Sequence, residues 1–181
     1  MDIFAHALWA GAAVVFAGRR RVITPRTAML TVALAAAPDV PHLLPLVGWS
    51  MFGGGGAMDV ARYANALPGQ EPAMPAMVET LSHTLHCTFH SALVAGLVTV
   101  LLWAWLHSLW LPLAGWWSHV VIDVFTHSAD YYPSPVLYPI TRAGFDGVAW
   151  NTPLFMLMNY LALAVAWLWL WREWRRKCRR T

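Results

Sequence analysis

The chain has 181 residues, enough for one domain, of which 59% are hydrophobic and only 12% are charged. Because a soluble domain carries about 25% charged residues, this composition excludes an ordinary water-soluble domain and indicates that lipid surrounds much of the surface. The net charge of +3 does not indicate nucleic-acid binding, because the basic residues lie at the ends of apolar segments, as topology signals of membrane proteins do.

Five apolar segments predict an all-α, multi-pass membrane bundle of about five transmembrane helices in a single domain, residues 1–181. In chain order these segments are residues 3–17, 27–49, 77–106, 109–127 and 153–171. The first is short, because a span needs about 20 residues, and the second is interrupted by Pro38, Pro41 and Pro45. The third is the longest, and its length predicts a helix of roughly 45 Å.

The Lys and Arg residues predict the orientation of these helices, because cytoplasmic loops carry an excess of positive charge. Ten of the 12 basic residues fall on one side of the predicted membrane, namely Arg19, Arg20, Arg21, Arg26, Arg172, Arg175, Arg176, Lys177, Arg179 and Arg180. Only Arg62 and Arg142 fall on the other side, in the predicted outer loops at residues 50–76 and 128–152. We therefore expect the N-terminus outside and the basic tail, residues 172–181, in the cytoplasm.

Two rows of ionisable side chains lie in the outer parts of the third and fourth segments. The first row is His83, His86 and His90, and the second row is His119, Asp123 and His127. Spacings of three and four residues put the members of each row on one helix face. At 1.5 Å per residue, His90 lies about 24 Å and Asp123 about 21 Å from the inner ends of their segments, so the two rows can face one another.

Two other segments bring candidate metal ligands to the same outer side. Asp39 and His42 lie where prolines prevent a regular helix, and non-helical backbone at membrane depth is tolerated where it lines a cavity or is buried in protein. His6 begins the first segment. Imidazole and carboxylate groups are ligands that zinc and other divalent first-row ions take, so the sequence predicts a site for one or two such ions, with zinc expected. The candidate ligands are His6, Asp39, His42, His83, His86, His90, His119, Asp123 and His127.

Histidines and acidic residues can also have roles other than metal binding. A single histidine inside a membrane often only hydrogen-bonds a neighbouring helix, but six aligned residues on two helices favour metal coordination. His107 lies alone at the inner turn and is expected to be a plain interfacial residue. Asp130 and Asp146 are expected to be loop residues, and Arg142 could either pair with Asp146 or meet an anionic substrate.

Several motifs surround the candidate ligands. They are His6 with Gly11, Ala-Pro-Asp39-Val-Pro-His42, His86-Cys-Thr-Phe-His90-Ser91, Ser-His119-Val-Val-Ile-Asp123-Val-Phe-Thr-His127, and Tyr-Pro-Ser-Pro-Val-Leu-Tyr-Pro ending at Pro139. Together they resemble the bacterial inner-membrane, metal-dependent hydrolase family typified by YdjM. The resemblance implies a multi-pass protein of the bacterial inner (plasma) membrane. The ligand pattern of that family is in turn similar to zinc-dependent phospholipase C enzymes, which implies phosphoester hydrolysis.

The third segment departs from the family pattern. Many members carry His-Arg-Gly-x-Thr-His there, whereas this chain has two histidines four residues apart without Arg-Gly. The departure leaves open whether His83 or His86 joins His90 as a metal ligand. It also leaves open a different substrate headgroup.

These observations lead us to expect a membrane-bound, metal-dependent hydrolase whose active site faces the outer side. The expected direct ligands are His86, His90, His119 and Asp123, with His127, Asp39, His42 and His6 around them. Asp39 or Asp123 would act as general base, and Arg142 is a further catalytic candidate. Because the site lies at the depth of the outer headgroups, a lipid or lipid-linked phosphoester is the expected substrate.

Three alternatives remain at this point. Haem binding for electron transfer would use paired histidines on facing helices, but it leaves Asp39 and Asp123 without a role. Metal transport or sensing would use the same ligands, but transport needs a polar path to the inner side, and the inner halves are nearly all Leu, Val, Ala and Trp. A metal-dependent esterase or amidase also fits, because the residues do not distinguish phosphoryl from acyl substrates.

Overall fold

The computed structural model describes residues 1–67, 70, 72–130 and 133–179, without the side chains of residues 64 and 65. Within those residues the prediction of an all-helical protein is confirmed, since they form eight α-helices and two 3₁₀-helices and no β-strand. The elements are α1 (Ile3–Ala17), α2 (Pro25–Ala36), the 3₁₀-helices Ala37–Asp39 and Pro41–Leu43, α3 (Leu44–Phe52), α4 (Ala57–Asn65), α5 (Ala76–Phe89), α6 (Ala92–Leu106), α7 (Leu113–Thr126) and α8 (Pro153–Cys178). Parts of the predicted outer loops (68, 69, 71, 131 and 132) and of the basic tail (180 and 181) lie outside the described residues.

Two helical stretches of the described chain are long and apolar enough to cross a membrane. They are Pro25–Phe52, with 28 residues and a mean hydropathy of 1.5, and α8, with 26 residues and a mean hydropathy of 1.8. The pair α5 and α6 adds a third span if the two helices, which meet at a bend of 55°, are taken as one. At 15 and 14 residues, α1 and α7 are shorter than a full span. Length and composition therefore support two or three spans, fewer than the five predicted.

The exposed surface of these helices is apolar, as expected for a surface that faces lipid. Phe4, Met29, Trp105 and Leu154 are each more than 70% exposed. Only 11% of the most apolar part of α8 is buried inside the protein. Apolar patches of this extent are rare on soluble monomers, so the surface fits a membrane protein.

The helix breaks differ from the sequence prediction at one important place. Residues 77–106 were predicted as one continuous helix, but the chain bends at His90 and Ser91. Ser91 is extended, and its hydroxyl accepts hydrogen bonds from the amides of Leu93 and Val94, so it caps the start of α6. Serine is among the best N-capping residues, which explains a helix start without proline or glycine.

The other elements depart less from the prediction. The first segment forms a helix over the predicted residues, and the second breaks into 3₁₀-helices at its prolines. The predicted outer loop 50–76 contains α4, and α7 begins four residues after residue 109. The last helix continues past residue 171 to Cys178.

Three side-chain contacts show that α1 and α8 run parallel. They are Asp2 with Tyr160 at 3.0 Å, Trp9 with Asn159 at 2.9 Å, and Arg19 with Glu173 at 2.7 Å. The start of both helices therefore lies at one end of the bundle and the basic residues that follow them at the other. The helix α2 packs between α1 and α7.

The segment after α7 folds back over its end. The amides of Gly147, Val148 and Trp150 donate to the carbonyl oxygens of residues 127, 125 and 126. A side chain at Gly147 would collide with these carbonyl groups, so glycine is required there. This pairing covers the end of the bundle at which α1 and α8 begin.

The closest helix packing predicts a specific sensitivity at Gly115. A Cβ at this position would overlap the backbone carbonyl of Thr31 on α2, so Gly115→Ala must push α2 and α7 apart. We expect a loss of about 1–3 kcal/mol in the free energy of unfolding, measured by denaturation in detergent. The control is Gly96→Ala on α6, where the new Cβ meets only the Trp117 ring at 3.9 Å. Equal stability of the two variants would contradict this packing.

Candidate metal centre

Four ionisable side chains from three parts of the fold converge at one end of the bundle. Asp39 lies in the first 3₁₀-helix, where Pro38 ends the regular α2 geometry. His90 caps the C-terminus of α5 at the bend, so the helix break turns its ring inward. His119 and Asp123 lie one turn apart on α7 and share its buried face.

The donor atoms of these four residues lie close together. The Nε2 atoms of His90 and His119 are 2.9 Å apart. The Oδ2 atom of Asp123 lies 3.1 Å from each of them, and the Oδ1 atom of Asp39 lies at 3.3 and 3.5 Å. All four residues are buried, and one donor atom from each lies within 4.8 Å of the others.

Backbone hydrogen bonds fix the orientation of both imidazoles. The Nδ1 atom of His90 lies 2.9 Å from the His86 carbonyl oxygen, and that of His119 lies 2.7 Å from the Ala35 carbonyl oxygen. Because a carbonyl oxygen can only accept, each Nδ1 must donate, which leaves the Nε2 lone pair of the neutral ring facing the centre. Such backbone support is typical of histidines that bind metals.

This arrangement places electron-rich atoms in contact. Two imidazole lone pairs and two carboxylates face one another in a buried volume, and the Met1 amino group beside Asp123 offsets at most one of the two negative charges. Buried charge that is not balanced costs several kcal/mol. A divalent cation at the centre balances the two carboxylate charges. A tetrahedral ion with bonds of about 2.0–2.2 Å separates its ligands by about 3.3–3.6 Å, close to the distances found here. The four residues therefore form a group that could hold a metal ion.

Further contacts anchor Asp123 from the other side. Its Oδ1 atom lies 2.9 Å from His6 Nε2, accepts a hydrogen bond from Thr126 Oγ1 at 3.1 Å, and lies 2.5 Å from the amino nitrogen of Met1. The His6 ring also stacks on the His119 ring at 3.8 Å. Both oxygens of Asp123 are thus engaged, so this carboxylate is held in one orientation.

The other imidazoles surround the group of four. His86 stacks on His90 with a centroid distance of 3.9 Å, and its ring lies 5.7 Å from His42 and 5.5 Å from His127. The Nε2 atom of His127 lies 3.4 Å from Asp123. The group of four includes Asp39, which we expected beside the direct ligands, and does not include His86, which we expected among them.

Two predicted site residues lie apart from this centre. His83 is half-buried, and its Nε2 atom lies 3.8 Å from Cys87 Sγ. Arg142 is exposed, and its charge acts on His83 and Cys87. No ion pair joins Arg142 to Asp146, one of the two roles considered for Arg142. The Asp146 carboxylate instead accepts a hydrogen bond from the Ala129 amide at 2.9 Å.

The remaining residues weighed from the sequence lie in loops or turns. Asp130 accepts a hydrogen bond from Ser128 at 2.6 Å. His107 is exposed and ends α6 in the left-handed conformation. Sequence reasoning missed the role of Thr126, although its position one turn after Asp123 was a signal that the two side chains could meet.

No family model matches the chain, and no curated protein or solved structure matches it either. Membership of the YdjM-like family therefore stays a prediction from the motifs, and the function rests on the chemistry of the metal centre.

Metal content tests whether His90 binds the ion and whether His83 does not. We expect His90→Ala to lose the bound ion, because it removes one of four donors, and His83→Ala to keep it. The measurement is elemental analysis of protein purified without added metal, after size-exclusion chromatography has shown that both variants are monodisperse. Wild-type metal content in His90→Ala would exclude His90 as a ligand.

Proposed function

We propose that the chain is a membrane-bound, metal-dependent hydrolase that cleaves a phosphoester of a lipid or lipid-like substrate at the outer face of the bacterial inner membrane. The observation that carries this proposal is the buried group of two carboxylates and two oriented imidazoles. Structural zinc sites prefer cysteine and histidine, whereas catalytic sites commonly combine histidine with a carboxylate. The motifs that resemble the YdjM-like family support the same class.

Zinc is the proposed ion, held by His90, His119 and Asp123 with Asp39 beside it, because a catalytic site with three protein ligands keeps a position for water. When bound, such an ion supplies a water of lowered pKa and polarises the phosphoryl oxygen of a substrate. The protein's part is to hold its donors rigidly, and the backbone bonds to both imidazoles do this. The rings of His42, His86 and His127 lie beside the group and offer the place for a second ion.

Asp39 is the carboxylate we propose as general base. Its Oδ1 atom faces the two imidazole nitrogens, whereas its Oδ2 atom is buried and has no hydrogen-bond partner among the described residues. The Asp123 Oδ2 atom also has no hydrogen-bond partner, but it lies 3.1 Å from the Nε2 atoms of both His90 and His119, whereas Asp39 approaches these two nitrogens with its Oδ1 atom only. A carboxylate with one oxygen available can accept a proton while the other stays in place.

The placement of the site along the bundle supports the proposed sidedness. His6 lies near the start of α1, and Arg19 follows its end, where it pairs with Glu173 on α8. The metal centre and the arginines thus lie at opposite ends of α1. With arginines on the cytoplasmic side, the centre lies toward the outer headgroups, where the phosphoester of a lipid is found.

The geometry favours a small ion over haem. The two axial nitrogens of a haem iron lie on opposite faces of the porphyrin, about 4 Å apart with the ring between them. The facing nitrogens of His90 and His119 are 2.9 Å apart, and carboxylates occupy the space beside them.

Metal transport is disfavoured, because it needs a polar path from the centre to the other end of the bundle. The start of α7, which lies toward that end, has the apolar sequence Leu-Ala-Gly-Trp-Trp.

The proposed base gives a direct test of hydrolysis. We expect Asp39→Asn to lower the rate on a chromogenic phosphodiester by about 10²–10⁴-fold at saturating zinc, because an amide cannot accept the proton. Asp130→Asn, a loop carboxylate that contacts Ser128, is the matched control and should keep the wild-type rate. Chelation should abolish the wild-type activity, and zinc should restore it. Full activity of Asp39→Asn would exclude its role as base.

The two native cysteines allow a test of orientation. Cys178 at the end of α8 is exposed, whereas Cys87 is buried. If the basic tail is cytoplasmic, a membrane-impermeant maleimide should label Cys178 only after cells are permeabilised. Ala143→Cys in a Cys178→Ser background, in the exposed segment after α7, should be labelled in intact spheroplasts. The opposite labelling pattern would show that the basic tail lies outside and would contradict the proposed topology.

A further inference from the structure

An apolar groove of about 420 Å³ runs between α1, α7 and α8. Its walls include Met1, Trp9, Ala13, Ile122, Thr126 and Phe155. The volume lies in the range of ligand pockets, which are about 300–1,000 Å³. The groove therefore has room for a molecule, in a part of the protein whose surroundings are apolar.

One end of this groove reaches the metal centre. Ile122 and Thr126 flank Asp123 on α7, and Thr126 Oγ1 donates directly to the Asp123 carboxylate. The amino nitrogen of Met1, which also lines the groove, contacts the same oxygen. A molecule lying in the groove therefore has one end beside a proposed metal ligand.

Most polar side-chain atoms of the groove wall have hydrogen-bond partners within the protein. Trp9 Nε1 donates to Asn159 Oδ1 at 2.9 Å, and Ser118 Oγ donates to the Gly115 carbonyl at 2.7 Å. The Nδ2 atom of Asn159 is the exception in the described wall, because it is buried without a hydrogen-bond partner. The wall is left almost wholly apolar, which fits a hydrocarbon and not a sugar, peptide or nucleotide.

Two other cavities have a different character. One, of about 550 Å³, is lined by Asp59 and Arg62, and another, of about 570 Å³, by Glu79, His83 and Asp130. Neither of these two is lined by any of the four residues of the metal centre. The apolar groove is thus set apart from them by both its lining and its contact with Asp123.

We propose that this groove holds a hydrocarbon chain of the substrate while the polar group of the same molecule lies at the metal centre. The inference rests on the proposed hydrolase function and narrows its substrate to a long-chain amphiphile. With its chain in this groove, the substrate brings its phosphoester to the centre without leaving the membrane surface. Binding the chain beside Asp123 positions the reacting group, which is a major source of catalytic rate.

A groove-filling variant tests this placement. Ala13 lines the groove and is exposed, so Ala13→Phe fills space without disturbing a packed core. The probe is a non-cleavable long-chain phosphonate that carries a diazirine at the end of its chain, used with zinc-loaded protein in detergent. In the wild type we expect the label on groove residues of α1, α7 and α8. In Ala13→Phe we expect about tenfold less label, because the ring displaces several methylenes.

The matched control is Ala104→Phe, an exposed alanine on α6 outside the groove, which should keep wild-type labelling. Ala13→Leu serves as a second, smaller groove variant, and metal content verifies that each variant is folded. Label that is spread over the lipid-facing surface, or unchanged in Ala13→Phe, would overturn the inference. The inference would also be overturned if a fatty alcohol competed as well as the unlabelled phosphonate of the same chain length. Labelling would then not depend on a polar group at the metal centre, which would indicate ordinary lipid contact only.

Hydrolysis separates this inference from the proposed function. If the protein cleaves phosphodiesters, the ratio of long-chain to short-chain rates should fall about tenfold in Ala13→Phe and stay unchanged in Ala104→Phe. Cleavage with an unchanged ratio would reject the groove but keep the hydrolase. Groove labelling without cleavage of any ester would reject the hydrolase but keep the groove as a lipid-binding site.

Discussion

The structure is organised around a carboxylate that has no access to solvent. Asp123 is fully buried in a bundle with an apolar surface, and an ionised group in such a place must be compensated within the protein. Its partners come from different elements, with His6 on α1, His90 at the end of α5, and His119 and Thr126 on α7. The requirement to surround this charge ties together α1, α5 and α7.

Two interruptions of regular helix make this convergence possible. The prolines after α2 replace an α-helix by two short 3₁₀-helices, and these place Asp39 beside the imidazoles. The bend after α5 leaves His90 at a helix end, where its Nδ1 can bond the His86 carbonyl. Broken backbone at membrane depth is stable only where protein surrounds it, and here the buried residues Pro38, His90 and Ser91 lie at the breaks. The same breaks that weaken the helices therefore build the centre.

Much of this arrangement could be predicted from spacing and helix rise, and the rest could not. The four-residue spacing of His119 and Asp123 fixed a shared face, and the matching heights of His90 and Asp123 indicated that they can meet. Sequence did not distinguish Asp39 from His86 as the fourth donor, because the direction of a side chain in a 3₁₀-helix between prolines depends on tertiary packing. The bend at Ser91 was missed because no proline or glycine marks it. A serine inside an apolar run is equally compatible with a helix start and with a continuous helix.

The location of the centre constrains its chemistry. The four side chains of the centre are buried in a bundle with an apolar surface, so under the proposed function a substrate that already lies in the membrane is nearer to them than a soluble ester. The apolar groove beside Asp123 adds a place for the chain of such a molecule, and the polar cavities lined by Asp59 and by Glu79 do not reach the four donors. Under the proposed function, the metal chemistry, the proposed depth in the membrane and the groove all favour the same kind of ligand. This ligand is an amphiphile whose polar group lies where the apolar wall meets the imidazole and carboxylate groups.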